Sequence, residues 1–319
     1  MILRSVAFAL PPQKFDSKTV ASWCGSDEIF LCQKVGIHSR YILNSGENEL
    51  NLARQACQNL FHEHPELNPK TVGLCVYVGQ IKTQIIPHAS ALLQHQLGLP
   101  VTCACFDVAL ACSGYVYALI IAQALMDTQN IKNALIVTCE PYSKIINRQD
   151  RNTAPLFGDA ASATWLSDTG RGFSLSCADF GTDGSKAGYL EYTPISSADP
   201  VYLSMNSQGI FNFVMRNVPD SLSRCLQKAN LTLIDIDIFL FHQANRFIVE
   251  MLCRSLQLPM SKCPIEVADV ANTISSSIPL LLAKLLPRCN LGQRIILCGF
   301  GGGLSWATVL AQFSEVHDE

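Results

Sequence analysis

Short apolar, β-branched runs alternate along this chain with longer stretches of helical periodicity. The N-terminal MILRSVAFAL reads as a first strand, stopped by Pro11 and Pro12. VGLCVYVG (72–79) reads as a strand, 88–97 as a helix, FDVAL as a strand, 113–126 as a helix and ALIVTCE (134–140) as a strand. The second half runs similarly, with a helix over about 209–229, the strand IDIFLFH (236–242), helices over 245–256 and 275–286, and the strand RIILCGF. Strands separated by helices in this way predict an α/β fold layered around a largely buried sheet.

The halves also rhyme locally. FGDAASATWL (157–166) closes the first and FGGGLSWATVL (300–310) closes the second, each a glycine turn leading into a strand. The repetition predicts an internal duplication, divided into an N-terminal half over 1–167 and a C-terminal half over 168–319. The stretch from about 168 to 204 is richer in Gly, Ser, Asp and Pro and reads as a connecting excursion between them.

With 319 residues, 49% hydrophobic and only 15% charged, the chain can bury a large core. A formal net charge of -3 gives no basic footprint, so nucleic acid is not an expected partner. The longest apolar stretch, around Tyr115 to Met126, falls short of the ~20 residues a spanning helix needs, so no membrane span is expected. Fourteen cysteines are scattered through apolar segments without a CxxC pair or a Cys/His zinc spacing, and no cleavage site follows the first strand. Reduced thiols, a cytoplasmic setting and no structural metal are the expectation.

Four segments hold residues capable of chemistry. In FDVALACSGYVYALIIAQAL a strand gives way to an apolar helix at Cys112, and a thiol at a helix N-terminus is placed where backbone N–H groups and the macrodipole favour the thiolate. Most of the fourteen cysteines must nonetheless be inert core residues, and by position alone Cys112 is open to that reading too. His242 ends the strand in FLFHQANRFIVEML, a place suited to a cleft or to a hydrogen-bonded core imidazole. Asn272, in ANTISSSIPLLLAKLL, precedes a serine-rich turn and reads alone as a turn or cap residue. The glycines of GFGGGLSW (299–306) let backbone N–H groups approach an oxyanion or phosphate closely, although the P-loop pattern is absent.

Together these segments resemble the thiolase superfamily, and within it the β-ketoacyl-acyl carrier protein synthase III type. KVGIHSR (34–40) is similar to that family's early TGI-x-x-R segment, and DRNTAPLFGDAASA (150–163) to its DRG…FGDGA segment, so the resemblance covers nearly the whole chain. It implies a five-layered α-β-α-β-α thiolase fold made from two duplicated halves, as a homodimer. It implies that Cys112 carries an acyl group, that the N–H groups of Cys112 and Gly302 form an oxyanion hole, and that His242 and Asn272 stabilise the enolate formed as a malonyl-type thioester loses CO₂. Coenzyme A or phosphopantetheine thioesters and an acyl carrier protein are the implied substrates and partner, with no metal or redox cofactor. The implied substrate contacts are Phe30, Lys34, Arg151, Phe157, Ser207, Phe211, Ala244 and Asn245.

Several positions depart from the family pattern. Phe30 stands at a Trp position and Lys34 at an Arg position, Arg246 and Phe247 come in reversed order after the Gln-Ala-Asn segment, Ala271 replaces a Gly before Asn272, and Ser207 replaces another Gly. Lys34 brings a point charge in place of a planar fork. These departures point to a specialised homologue in secondary metabolism. Two other functions compete with condensation: transfer of the acyl group to an oxygen, nitrogen or other carbon nucleophile, and a non-catalytic subunit, which the retained Cys112 opposes.

Overall fold

The computed structural model describes residues 1–44, 46–193 and 201–317. Nine strands form one mixed sheet: β1 (Ile2–Ala9), β2 (Val72–Val78), β3 (Ala104–Val108), β4 (Asn133–Cys139), β5 (Ala161–Ser167), β6 (Gly170–Thr182), β7 (Ile238–Phe241), β8 (Arg294–Gly301) and β9 (Ser305–Val316). The spatial order is β7-β8-β9-β6-β1-β5-β4-β2-β3. The longer helices that accompany them are α1 (Ser17–Cys24), α2 (Glu49–Glu63), α3 (Ala89–Gln96), α4 (Ala111–Gln129), α5 (Ser207–Lys228), α6 (Arg246–Ser255) and α7 (Ser277–Leu285).

The pairing pattern repeats. In the first half β2 runs parallel to β4, which pairs antiparallel with β5, which pairs antiparallel with β1. In the second β7 runs parallel to β8, which pairs antiparallel with β9, which pairs antiparallel with β6. The edge strand β3, parallel to β2, has no counterpart among the described residues of the second half. The two sets join where Ile2 and Leu3 of β1 face Ser174 and Phe173 of β6.

This arrangement yields five layers because α4 is apolar on every face and must be covered on both sides. It packs against β2 and β4 on one side and β8 and β9 on the other. Tyr115, Val116, Leu119 and Met126 of α4 share a core with Val76, Ile136, Leu297 and Val309, and α7 enters the same layer through Ile278, Leu281 and Leu282. Outside the strands of the first half lie α2 and α3, with Leu60 and Leu93 on Cys75 and Val137. Outside those of the second half lie α5 and α6, with Leu222 and Leu252 on Phe239 and Ile296.

Two expectations change. The excursion assigned to 168–204 is, over Gly170–Thr182, the long strand β6, whose glycines sit against neighbouring chain: a Cβ on Gly172 would lie 2.1 Å from the Leu3 carbonyl oxygen. Only after it does the chain become irregular, with a ribbon pairing Leu190–Glu191 to Ser204–Met205; residues 194–200 of that stretch lie outside the described residues. The helix assigned to 275–286 begins instead with a 3-10 turn over Ile274–Ser276.

Phe173 is fully buried at the junction of the two sets of strands and meets Phe313 edge-on at 5.1 Å between ring centroids. Phe173→Ala is expected to lower the unfolding free energy by about 3–5 kcal/mol, read as a drop in the denaturant midpoint.

Candidate active site

The nucleophile candidate is positioned by a tight strand-to-helix turn. Ala111 opens α4 with φ of 44°, a left-handed conformation that costs an L-residue ~1–2 kcal/mol, and Cys112 follows, 5% exposed. The second half closes over it. A Cβ on Gly299 would lie 2.7 Å from the Cys112 carbonyl oxygen, and one on Gly301 would lie 3.0 Å from Cys112 Sγ, so neither position has room for a side chain. Ser305 holds this loop in place: its Oγ donates to the Gly302 carbonyl at 2.7 Å and shares a 2.7 Å hydrogen bond with Ser113 Oγ.

His242 stands one residue beyond β7 and donates its backbone N–H to the Cys298 carbonyl at 2.8 Å, continuing the parallel pairing with β8. Its Nδ1 lies 2.7 Å from Ser277 Oγ, which also accepts the Gln243 N–H at 3.4 Å. The serine thereby fixes the ring through Nδ1, and Nε2 is the remaining ring nitrogen. Asn272 is clamped from the first half: its N–H donates to the Leu156 carbonyl at 2.9 Å and its carbonyl accepts from Gly158 N–H at 3.0 Å. Its Oδ1 accepts the Ile274 N–H at 2.9 Å, which leaves the Nδ2 protons to face the cavity. Left-handed Ala271 (φ 61°) and Ile274 (φ 51°) flank it. Held strain of this kind gathers where a side chain is aimed at a ligand.

Cys112, His242 and Asn272 line one cavity of about 80 Å³, together with Phe157, Ser207, Ala244 and Asn245 of the sequence-derived set. Phe157 forms a backbone bridge with Asn272, and Asn245 caps α6 by accepting the Ile248 N–H at 2.8 Å. The rest of the set lies elsewhere. Gly302 lines an adjoining cavity, although its backbone N–H and that of Cys112 favour a charge on the cysteine sulfur. Phe30 and Lys34 are exposed on the turn before Gly36, which the Arg246 side chain overlies. Arg151 donates to the carbonyls of Cys24 and Gly25. Phe211 stacks on Phe247 at 5.7 Å.

The electrostatics correct one expectation. Burial, reinforced by the charge of Glu140, pushes the Cys112 thiol well above its ordinary range, and the N–H groups of Cys112 and Gly302 only partly offset this. The helix start does not by itself produce a thiolate, because desolvation of the charged form outweighs the local donors. Burial likewise holds His242 down at about 3, so the imidazole is neutral through the physiological range. The resting site is an uncharged thiol among uncharged donors.

A duplicated, layered frame in which one half supplies the thiol and the other the polar groups around it is the thiolase fold of acyl-transferring condensing enzymes. Residues 106–184 match the family model described as 3-oxoacyl-[acyl-carrier-protein (ACP)] synthase III, and residues 226–313 match the model of its C-terminal part. A β-ketoacyl-[acyl-carrier-protein] synthase III of Lactococcus lactis is 31% identical, covering 97% of this chain and 98% of its own. A solved 3-oxoacyl-(acyl-carrier-protein) synthase III superposes with a TM-score of 0.91 at 31% identity, covering 98% of this chain and 99% of its own. The priming β-ketosynthase of a polyketide biosynthetic pathway superposes at 0.89 with 27% identity, covering 99% and 96%. The chain belongs to the 3-oxoacyl-[acyl-carrier-protein] synthase III family.

Sequence reasoning passed over Ser277, which orients His242, and Glu140. The Ser-Ser-Ser run of 275–277 carried a signal only as a helix opening. Glu140 follows β4, is wholly buried, accepts the Gln80 and Ile81 N–H groups on Oε2, and leaves Oε1 without a partner. Burial raises its carboxyl from 4.5 to about 8. The fold therefore keeps a proton that the unfolded chain releases, and stability falls as pH rises between those two values. Glu140→Gln, which carries no such penalty, is expected to gain on the wild type from about pH 5 to about pH 8, checked by denaturant midpoints of both proteins across that range.

Proposed function

We propose that the protein takes an acyl group from a thioester onto Cys112 and condenses it with a malonyl-type thioester carried by coenzyme A or the phosphopantetheine of an acyl carrier protein. The observation that carries this reading is the convergence of Cys112, His242 and Asn272 on one cavity, with the two partners offering donors rather than charges. In loading, the Cys112 sulfur attacks the thioester carbonyl, the new thioester forms as the old C–S bond breaks, and the thiol proton leaves with the departing thiol. The N–H groups of Cys112 and Gly302 receive the carbonyl oxygen as it gains charge. In condensation, His242 Nε2–H and Asn272 Nδ2–H donate to the extender's thioester oxygen, which becomes an enolate as CO₂ departs. The enolate carbon then attacks the acyl-cysteine carbonyl, the C–S bond breaks, and the Cys112 sulfur leaves as a thiolate that takes a proton from solvent to restore the thiol.

The residues needed for these steps belong to the chain and its thioester substrates, with no resident cofactor. Activity on an acyl carrier protein, as the names of the relatives have it, rests here on Arg246, Lys34 and the exposed face near Gly36, while a homodimer is the assembly proposed. Transfer to an alcohol or amine is the alternative, and the two donors aimed at an enolate oxygen favour condensation over it.

Cys112→Ala is expected to take up no acyl mass where the wild type takes up one. Asn272→Ala is expected to keep acyl-Cys112 detectable by intact mass while CO₂ release from a malonyl thioester falls by roughly 10²-fold or more. Wild-type CO₂ release in Asn272→Ala, or acyl transfer to an alcohol with no CO₂ release from the wild type, would replace the condensation reading.

A further inference from the structure

A second cavity, of about 170 Å³, lies behind the segments that carry His242 and Asn272. Neighbours in sequence divide between the two spaces: His242 and Asn272 line the front cavity with Cys112, while Gln243 and Thr273 line the rear one. Ser277 also lines the rear cavity, and its Oγ lies 2.7 Å from His242 Nδ1. Gln243 is pinned there, donating through Nε2 to the Phe241 carbonyl at 2.8 Å and accepting the Glu266 N–H on Oε1 at 2.9 Å. Thr273 is 1% exposed, and its hydroxyl has no partner among the described residues. The rear cavity reaches the surface at Glu266, Asp269 and Lys284, all of them exposed. A single water needs only ~10–15 Å³ of such space, so this polar-walled cavity has room for several, and a buried hydroxyl without a protein partner is a group that such waters satisfy.

We propose that Ser277 passes protons between His242 and water in the rear cavity, and that the Cys112 sulfur regains its proton by this route. The proposal rests on the condensation reading of Cys112, His242 and Asn272. When the C–S bond of the acyl-cysteine breaks, product still occupies the front cavity of about 80 Å³ and keeps solvent out from that side. The sulfur leaves with the electron pair into surroundings that disfavour its charge, so a proton must arrive as the charge forms. Where Nε2 carries the ring proton, as donation to the enolate requires, Nδ1 is bare and faces the serine hydroxyl. Nε2 then gives its proton to the sulfur, Nδ1 takes one from Ser277 Oγ, and Oγ takes one from a water behind it. One proton enters from solvent, and the ring stays neutral throughout, as its burial demands. After product departs, water entering the front cavity returns a proton to Nε2 while Nδ1 sheds one through Ser277, which restores the first tautomer.

The test follows a single turnover of the full-length protein, loaded with acetyl-CoA and then mixed with malonyl-acyl carrier protein, in mixtures of H₂O and D₂O. Product formation by the wild type is expected to slow in D₂O along a curve rather than a line as the deuterium fraction rises, because His242, Ser277 and water each move a proton in one step. Ser277→Ala is expected still to form acetyl-Cys112, to make product more slowly by roughly 10²-fold or more, the scale of a lost general acid, and to lose the curvature. Thr273→Val alters the rear cavity without touching His242, and is expected to load acetyl as the wild type does while making product more slowly. The proposal is overturned if the wild type shows no solvent isotope effect on product formation, if Ser277→Ala or Thr273→Val makes product at the wild-type rate, or if Ser277→Ala is slow yet keeps the wild-type curve, which would leave the serine only the task of orienting the ring. A wild type that takes up no acyl group on Cys112, or that loads and releases no CO₂, would instead sink the condensation reading, and the relay with it.

Discussion

The backbone of the β8–β9 turn lies against the first turn of α4 so closely that the prospective Cβ of Gly299 would fall inside the Cys112 carbonyl and that of Gly301 against its sulfur. Most of the molecule follows from that contact. To bring the turn of one half onto the helix start of the other, α4 must run between the two sets of strands, which demands a helix apolar on all sides. The hydroxyls of Ser113 and Ser305 meet at 2.7 Å across the same contact and satisfy each other where water has been excluded. The approach also sets the Gly302 N–H where it favours charge on the sulfur, and a side chain at Gly301 would push the loop off the cysteine.

Burial sets the electrostatic character of the site. A helix N-terminus stabilises a thiolate by a modest amount when solvent is near, but around Cys112 the loss of water costs more than the N–H groups return, and the Glu140 carboxyl adds to the cost. His242 is kept neutral for the same reason. Such a site is poor at holding charge at rest and good at receiving it when substrate oxygen develops it, because its donors are fixed and need not reorient. The left-handed backbone at Ala111, Ala271 and Ile274 belongs with this design: residues bearing a Cβ are held in strained conformations beside Cys112 and Asn272, the groups that must be aimed.

The layering was legible because α4 and the strands around it are long, apolar and regularly spaced, so that period and burial agree. The edge of the reading was β6, where glycines at 170, 172 and 181 imitate a loop although each is there to admit neighbouring chain or a side chain such as Trp306. At the site, Cys112, His242 and Asn272 each kept an inert reading by position, and they became legible as a set only through the resemblance of the segments that carry them. Ser277 could not, since its contact with His242 spans 35 positions and depends on how α7 docks. Of the residues placed on the substrate path by resemblance, Phe157, Ser207, Ala244 and Asn245 line the cavity, and Phe30, Lys34, Arg151 and Phe211 stand outside its lining.

The central claim is that the two halves meet in order to place two backbone N–H groups and a thiol around one acyl carbonyl. A crystal structure of the acetylated enzyme addresses it most directly. The account predicts the thioester oxygen of acetyl-Cys112 about 2.7–3.1 Å from both the Cys112 and the Gly302 nitrogens, with His242 and Asn272 left free for a second substrate. A thioester oxygen turned instead toward His242 Nε2 or Asn272 Nδ2, with the two N–H groups unengaged, would contradict it.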